Sequence, residues 1–241
     1  MSLAHRLPFG LRHLLPLTSQ YREVRAQQHQ IVEGLSKLRQ TLSPEVMHEI
    51  ALPSYTHQNP LMRHLFWERL AVALEWLDNL APVPSVVMDF GCGLGVLFPA
   101  LTRRGLHVLA WDIHPEAPAG GAQFFGIKEI EILDARERFE GLSDGSVDAI
   151  LALDVLEHVN DVASLAAEFR RLLGANGRLL CSLPTENAFY RLGRRLAGFS
   201  GAYHVHGPQH VVRGLSSCLK TRRIARLYSF LPLFDFFEAH T

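Results

Sequence analysis

The feature that most constrains this chain is a run of three closely spaced glycines after a short apolar segment. Residues 85–90 read Ser-Val-Val-Met-Asp-Phe, and Gly91, Gly93 and Gly95 follow at alternate positions. An apolar run of this length is typical of a strand buried on both faces of a parallel sheet. Glycines allow a tight bend and let a ligand approach the backbone, and a helix that starts there presents free N–H groups. The sequence therefore predicts a ligand site at the end of the first strand.

Further short apolar runs follow the glycines and alternate with helix-like segments. Strands are predicted at 107–113, 130–133, 147–153 and 178–183, and the clearest connecting helices at 94–104 and 161–173. This alternation indicates a parallel sheet covered by helices on both faces. The last two runs, 223–230 and 232–239, are predicted to form an adjoining antiparallel pair.

The first third of the chain carries helical signals and little strand signal. Amphipathic helices are predicted at 21–42 and 61–80, and Ser43 before Pro44 is typical of a helix start. We therefore expect a helical extension or cap over 1–84 and a ligand-binding domain over 85–241. A chain of 241 residues has room for both.

Charge and cysteine content exclude some classes of protein. Lys plus Arg and Asp plus Glu both number 24, so there is no electrostatic reason to expect a nucleic-acid partner. The cysteines, Cys92, Cys181 and Cys218, have neither the number nor the spacing of a disulfide framework or a metal motif. Reduced thiols and a cytoplasmic location are expected.

No segment of the sequence predicts a membrane span or a signal peptide. No apolar run approaches the ~20 residues that cross a bilayer. The leucine-rich segment 1–17 is interrupted by two prolines and a glycine, so it lacks a continuous apolar region. A frayed tail or a flap is the favoured interpretation, and a surface-seeking helix is the weaker one.

An acid at the end of the second strand narrows the class of ligand. Asp112 lies 23 residues after Asp89, where a carboxylate can accept hydrogen bonds from ribose hydroxyls. This predicts a ribose-containing ligand and disfavours NADP. A dinucleotide-binding turn would need a small residue where this chain has Val96, and the chain has no Tyr-x-x-x-Lys. An NAD-dependent oxidoreductase is therefore the weaker alternative.

The spacing Asp89-x-Gly91-x-Gly93-x-Gly95 resembles motif I of the class I S-adenosylmethionine (SAM)-dependent methyltransferases. Residues 133–135 (Leu-Asp-Ala), 147–159 (ending Leu-Glu-His-Val) and 172–180 are similar to later segments of that family. The resemblance covers roughly residues 60–241 and is strongest over 85–184. It implies a Rossmann-like, doubly wound, seven-stranded and mostly parallel sheet with an antiparallel last strand. It also implies SAM as cofactor and methyl transfer to a small molecule, such as a hydroxyl of a sugar- or lipid-linked metabolite.

The resemblance and the strand ends together imply a set of cofactor-binding residues. They are Asp89, Gly91, Gly93, Gly95, Asp112, Ile113, Asp134, Ala135 and Leu153. In the family the glycine loop holds the methionine end, the motif acid orients the amino group, and an acid after the third strand contacts the adenine. Each acid has a purely structural alternative, as do Asp154, Glu157 and His158, which could cap or orient the next helix.

The segment 185–210 is predicted to be a lid that binds the methyl acceptor. Its arginines are expected to bind an anionic or sugar-phosphate-like acceptor, and they are Arg191, Arg194 and Arg195. Its histidines are candidates for a general base, and they are His204, His206 and His210. A solvated helix face and packing histidines are the alternative, and no metal is expected because no acid or cysteine completes the histidine set nearby. Methyl transfer requires no obligatory side chain, so a non-catalytic SAM-binding domain also stays open.

Overall fold

The computed structural model describes residues 19–43, 46–47, 50, 55–133, 141–185, 207–227 and 233–241. In these ranges the helices are α1 (Ser19–Thr41), α2 (Pro60–Asp78), α3 (Phe98–Arg103), α4 (Glu116–Phe125), α5 (Val162–Leu172) and α6 (Pro208–Ser216). The strands are β1 (Val86–Phe90), β2 (His107–Trp111), β3 (Ile130–Leu133), β4 (Val147–Leu153), β5 (Leu173–Pro184), β6 (Lys220–Leu227) and β7 (Phe234–His240). One turn of 3-10 helix, Leu156–His158, follows β4.

The strands form a seven-stranded sheet in the order β3-β2-β1-β4-β5-β7-β6. Strand β7 runs antiparallel to β5 and to β6, whereas β1–β2, β2–β3 and β4–β5 are parallel pairs. The predicted fold class, including the antiparallel last strand, is confirmed.

The chain divides into two compact units, made of the described residues within Leu17–Leu142 and within Ser143–Thr241. The first unit contains α1 to α4 and β1 to β3, and the second contains β4 to β7, α5 and α6. The expected boundary between a helical segment 1–84 and a domain 85–241 stays a prediction.

In the first unit the carboxyl ends of β1 and β2 lie side by side. Phe90 is opposite Trp111 in the parallel register, and their rings stack with centroids 4.6 Å apart and an interplanar angle of 2°. Because the two strands end together, the glycines after Phe90 and the acid after Trp111 begin at the same edge of the sheet.

The long polar helix α1 belongs to this first unit. It buries one stripe, Tyr21, Val24, Gln27 and Ile31, whose spacing of three to four residues places it on one face. The helix packs against α2, α3 and α4. Its packing therefore comes from a narrow stripe within an otherwise polar sequence.

In the second unit α5 leads directly into β5. The Asp161 side chain caps the helix by accepting a hydrogen bond from the Ser164 backbone N–H at 2.9 Å. Leu173 already has extended backbone angles, so β5 begins five residues before the predicted position 178. Val147 of β4 pairs with Leu173 and Ala149 pairs with Arg178, so residues 174–177 form an irregularity in the parallel register of β4 and β5.

Two helices were not predicted from the sequence. α4 contains Pro118, Gly120 and Gly121, which are poor helix formers. Close packing explains one of them, because a side chain at Gly121 would overlap the Leu94 carbonyl. α6 begins at Pro208, so the last residues of the predicted lid 185–210 are the start of a helix. Residues 186–206 of that lid lie outside the described residues.

Candidate functional site

The glycine loop after β1 takes a backbone conformation that favours glycine. Gly91, Gly93 and Gly95 have φ of 71°, 51° and 68°, a region that costs other residues roughly 1–2 kcal/mol. The loop is tied to the end of β2, because the N–H groups of Gly91 and Cys92 donate to the Trp111 carbonyl at 2.8 and 3.2 Å. Residues 94–97 continue as turns, so helix α3 is shorter than the predicted 94–104.

Asp112 connects the loop to the end of β2. Its Oδ2 accepts from the Gly93 N–H at 2.7 Å, and its Oδ1 accepts from the His114 N–H at 3.0 Å. Burial raises the pKa of Asp112, while the two backbone donors act to lower it. Each carboxylate oxygen makes one such bond and keeps acceptor capacity for a ligand hydroxyl. The next residue, Ile113, is an apolar residue that is 77% exposed.

Asp89 is the second carboxylate at this edge, and it is only 4% exposed. Burial, together with the charge of Asp112, raises the pKa of Asp89 to about 7. Burial most strongly, and then the charges of Asp89 and Asp112, raise the pKa of the neighbouring Cys92 thiol. Two nearby carboxylates in a desolvated place favour a cationic group that would stabilise their ionised forms.

Two polar side chains from outside the predicted set, Tyr55 and Arg69, contact each other, and the Tyr55 hydroxyl lies within electrostatic reach of Asp89. The buried guanidinium of Arg69 donates from Nη2 to the Tyr55 hydroxyl at 3.3 Å and lies over the Phe66 ring, 4.8 Å from its centroid. Burial raises the pKa of Tyr55, Arg69 acts to lower it, and Asp89 acts to raise it. The available sequence signal was an arginine inside the apolar stripe of the helix predicted at 61–80.

Ile50 lies directly over the loop. A Cβ placed on Gly93 would be 3.2 Å from the Ile50 Cβ and 3.4 Å from its carbonyl oxygen. Ile50 therefore contacts the glycine loop, and only a residue without a side chain fits comfortably at Gly93.

The structure gathers six of the predicted cofactor residues in the first unit. They are Asp89, Gly91, Gly93, Gly95, Asp112 and Ile113. In the second unit Leu153 ends β4. Asp154 follows it with φ of 53°, and its Oδ1 accepts a hydrogen bond from the Ser182 hydroxyl.

The other predicted site residues are scattered or not described. His210 lies exposed in the first turn of α6, and Glu157 is buried in the 3-10 turn with His158 after it. Those outside the described residues are Asp134, Ala135, Arg191, Arg194, Arg195, His204 and His206. Their roles stay predictions.

The described part of the chain shows neither a metal cluster nor a membrane-spanning helix. It contains no group of three or more His, Cys, Asp or Glu side chains placed to hold a metal ion. None of its helices has the length and apolar character that crossing a bilayer requires. The cytoplasmic location stays a prediction.

Comparison with known proteins identifies the family. A family model described as a methyltransferase domain matches residues 57–222. The ubiquinone biosynthesis O-methyltransferase of Xylella fastidiosa strain 9a5c is 35% identical over 147 residues, which are 59% of this chain and 55% of that protein. The chain spans about half the length of the curated relatives it matches.

Solved structures share the fold at low sequence identity. The PH0226 protein from Pyrococcus horikoshii OT3 gives a TM-score of 0.61 at 16% identity, covering 78% of this chain and 95% of that one. Magnesium protoporphyrin IX methyltransferase from Synechocystis PCC 6803, solved with bound S-adenosylhomocysteine (SAH), gives 0.57 at 18% identity, covering 86% of this chain and 100% of that one. These likenesses concern the fold alone.

The resemblance carried by the motif from Asp89 to Gly95 is thus confirmed by a family model that spans more than half of the chain. The glycine loop, the acid after β2 and the antiparallel last strand are all present, and this chain belongs to the methyltransferase-domain family, with the fold of the class I SAM-dependent methyltransferases.

Proposed function

We propose that this protein transfers the methyl group of SAM to a hydroxyl of a small-molecule acceptor. The observation that carries the proposal is the hydrogen bond from the Gly93 N–H to Asp112 at 2.7 Å. It joins the glycine loop, which a methionine moiety would approach, to the acid that would bind the ribose. Membership of the methyltransferase-domain family supports the same reading.

The chemistry of the loop residues fits each part of SAM. Asp112 would accept from the ribose hydroxyls with its remaining lone pairs, and the exposed Ile113 would lie against the adenine. Asp89 in its ionised form would hold the ammonium group, which is the cation that its buried position favours. Gly91, Gly93 and Gly95 would let the methionine chain approach the backbone. Asp134, Ala135 and Leu153 are proposed to complete the adenine side.

The carboxylate of the methionine moiety of SAM would be stabilised by a cation, and we propose that Arg69 provides it. Arg69 is buried beside Tyr55, whose hydroxyl is within the electrostatic influence of Asp89. Arginine binds carboxylates through its planar set of N–H donors. Asp89 and Arg69 would then bind the ammonium and carboxylate of the same amino-acid moiety.

Transfer itself would be an in-line attack of the acceptor oxygen on the methyl carbon, in which the bond from that carbon to sulfur breaks and SAH leaves. SAM supplies the activated methyl group. The contribution of the chain is alignment of the two reactants and removal of the hydroxyl proton. We propose Arg191, Arg194 and Arg195 for acceptor binding and His204, His206 or His210 for the proton. The named relatives are ubiquinone biosynthesis O-methyltransferases, which favours a phenolic hydroxyl on a ring with an apolar tail as the first acceptor to try.

Turnover with radiolabelled SAM tests this proposal. We expect label to appear on a catechol that carries a short prenyl tail, and not on the same ring with both hydroxyls already methylated. The double variant Arg194→Ala/Arg195→Ala should raise the acceptor KM without weakening SAM binding, because both arginines are proposed to bind the acceptor and not SAM.

A folded chain that binds SAM but methylates neither catechols nor sugar or lipid-linked hydroxyls would favour the non-catalytic SAM-binding alternative. Binding of NAD in place of SAM would favour an oxidoreductase. Unchanged kinetics of the double arginine variant would remove the acceptor-binding role of those arginines.

A further inference from the structure

One polar side chain interrupts the buried stripe of α1. Gln27 is 3% exposed. With its amide oriented by its partners, Nε2 donates to the Val96 carbonyl at 2.7 Å and Oε1 accepts from Nη2 of Arg103 at 3.3 Å. A buried amide is costly unless both of its groups are hydrogen-bonded. The residue at this position is therefore suited to hydrogen bonding as well as to packing.

The group that Gln27 binds is a carbonyl of the glycine loop. Val96 is 5% exposed and lies between the last loop glycine and the start of α3. The backbone bonds at this junction run from Phe98 N–H to the Gly95 carbonyl and from Ala100 N–H to the Leu97 carbonyl, both at 2.9 Å. Neither of these two bonds uses the Val96 carbonyl. That carbonyl instead accepts a hydrogen bond from Gln27, which belongs to another helix.

The partners of Gln27 are themselves fixed. Arg103 at the end of α3 also donates from Nη2 to Oε1 of Glu23 at 2.8 Å, one turn earlier on α1. On the segment after α1, Ile50 lies against Gly93. The loop is thus held by Gln27 at Val96 and contacted by Ile50 at Gly93.

We infer that Gln27 is a positioning residue for the cofactor loop. By holding the Val96 carbonyl it fixes the path of the chain just after Gly93 and Gly95, before any ligand arrives. Helix α1 then controls the affinity for SAM through a hydrogen bond to the loop. The identity of the ligand rests on the proposed function. The positioning role of Gln27 rests on the geometry of the loop alone.

The change Gln27→Met tests this because it keeps the length of the side chain and removes both hydrogen bonds. It leaves the buried Val96 carbonyl without its donor, and we expect the Kd for SAH to rise about tenfold. Gln30→Met is the matched control, since it makes the same change on the exposed face of α1, and its Kd should equal that of the wild type.

Val24→Ala separates positioning from general stability. Val24 is fully buried on the same stripe, and its truncation removes apolar contacts only. We expect a lower melting temperature with an unchanged Kd for SAH measured well below that temperature. Equal weakening by Val24→Ala and Gln27→Met would assign the effect to lost stability and overturn the inference.

Hydrogen exchange in the absence of ligand gives a readout that does not depend on the proposed function. The backbone amides of residues 91–98 should exchange faster in Gln27→Met than in the wild type, and at the wild-type rate in Gln30→Met. Unchanged exchange in Gln27→Met overturns the inference, whatever the affinity. A wild type that binds no SAH would instead contradict the proposed function, while the exchange comparison would still test Gln27.

Discussion

Asp89 illustrates how one buried side chain can make ligand binding respond to pH. Its carboxyl is desolvated and lies in the field of Asp112, with Cys92 and the Tyr55 hydroxyl also within its electrostatic reach. Since its pKa is raised to about 7, the carboxyl keeps its proton in the folded, ligand-free protein where an unfolded chain has lost it. This favours the folded state at low pH, and the contribution is lost as the pH rises towards 7.

Ligand affinity should change with pH in the opposite direction. An ammonium group binds the ionised form of Asp89, so from pH 5.5 to pH 7 the affinity for SAH should rise on the order of tenfold as that form becomes populated. Calorimetric titration at a series of pH values measures this. Asp89→Asn should bind more weakly and lose most of the dependence, while its ligand-free stability should no longer fall over the same range. An affinity for SAH that stays constant from pH 5.5 to pH 7 would contradict the assigned role of Asp89.

At the scale of the elements, the conformation of the glycine loop depends on its own glycines. Two glycines with nearly the same φ allow the cost of backbone strain to be separated from the cost of crowding. Gly95 and Gly105 have φ of 68° and 70°. A Cβ on Gly95 would overlap the Phe98 ring, whereas a Cβ on Gly105 would have no atom within 4 Å.

We therefore expect Gly105→Ala to lower the free energy of unfolding by about 1 kcal/mol, through backbone strain alone. Gly95→Ala should lose about 1–3 kcal/mol more, because the ring of Phe98 must move. Urea denaturation of both variants gives the comparison. Equal losses would mean that the loop accommodates a side chain at Gly95, and the tight packing described for it would be wrong.

The elements also indicate what the sequence could and could not predict. β1 to β4 were predicted within two residues at each end, because buried strands leave uninterrupted apolar runs between turn residues. α4 was missed because its proline and glycines oppose helix formation locally, and packing of Gly121 against Leu94 acts from outside the segment. Local patterns predict elements well when the same residues both form and bury them.

The site divides in the same way. Asp89, the loop glycines and Asp112 were predicted because they follow strand ends at fixed spacing, and the structure places them together. Gln27 and Arg69 were missed, since each acts through a partner distant in sequence, Val96 for Gln27 and Tyr55 for Arg69. In the sequence, each is a polar residue within the apolar stripe of a helix, and this pattern was the available signal for both.

At the scale of the whole molecule, the account depends on the first unit as a SAM site. The family model and the shared fold concern most of the chain, but the affinity resides in a few groups at the ends of β1 and β2. Asp112 is the most decisive of these, because it contacts the glycine loop and would contact the ribose. A control acid in the second unit is Asp144, whose side chain is 80% exposed.

Calorimetric titration of SAH into the wild type, Asp112→Ala and Asp144→Ala tests this most directly, with folding of each variant checked by circular dichroism. The account predicts one SAH per chain in the wild type and in Asp144→Ala, and at least about tenfold weaker binding in Asp112→Ala, from the loss of charge-assisted hydrogen bonds. A folded wild type that ignores SAH at millimolar concentration, or a folded Asp112→Ala variant that binds it as well as the wild type, would contradict it.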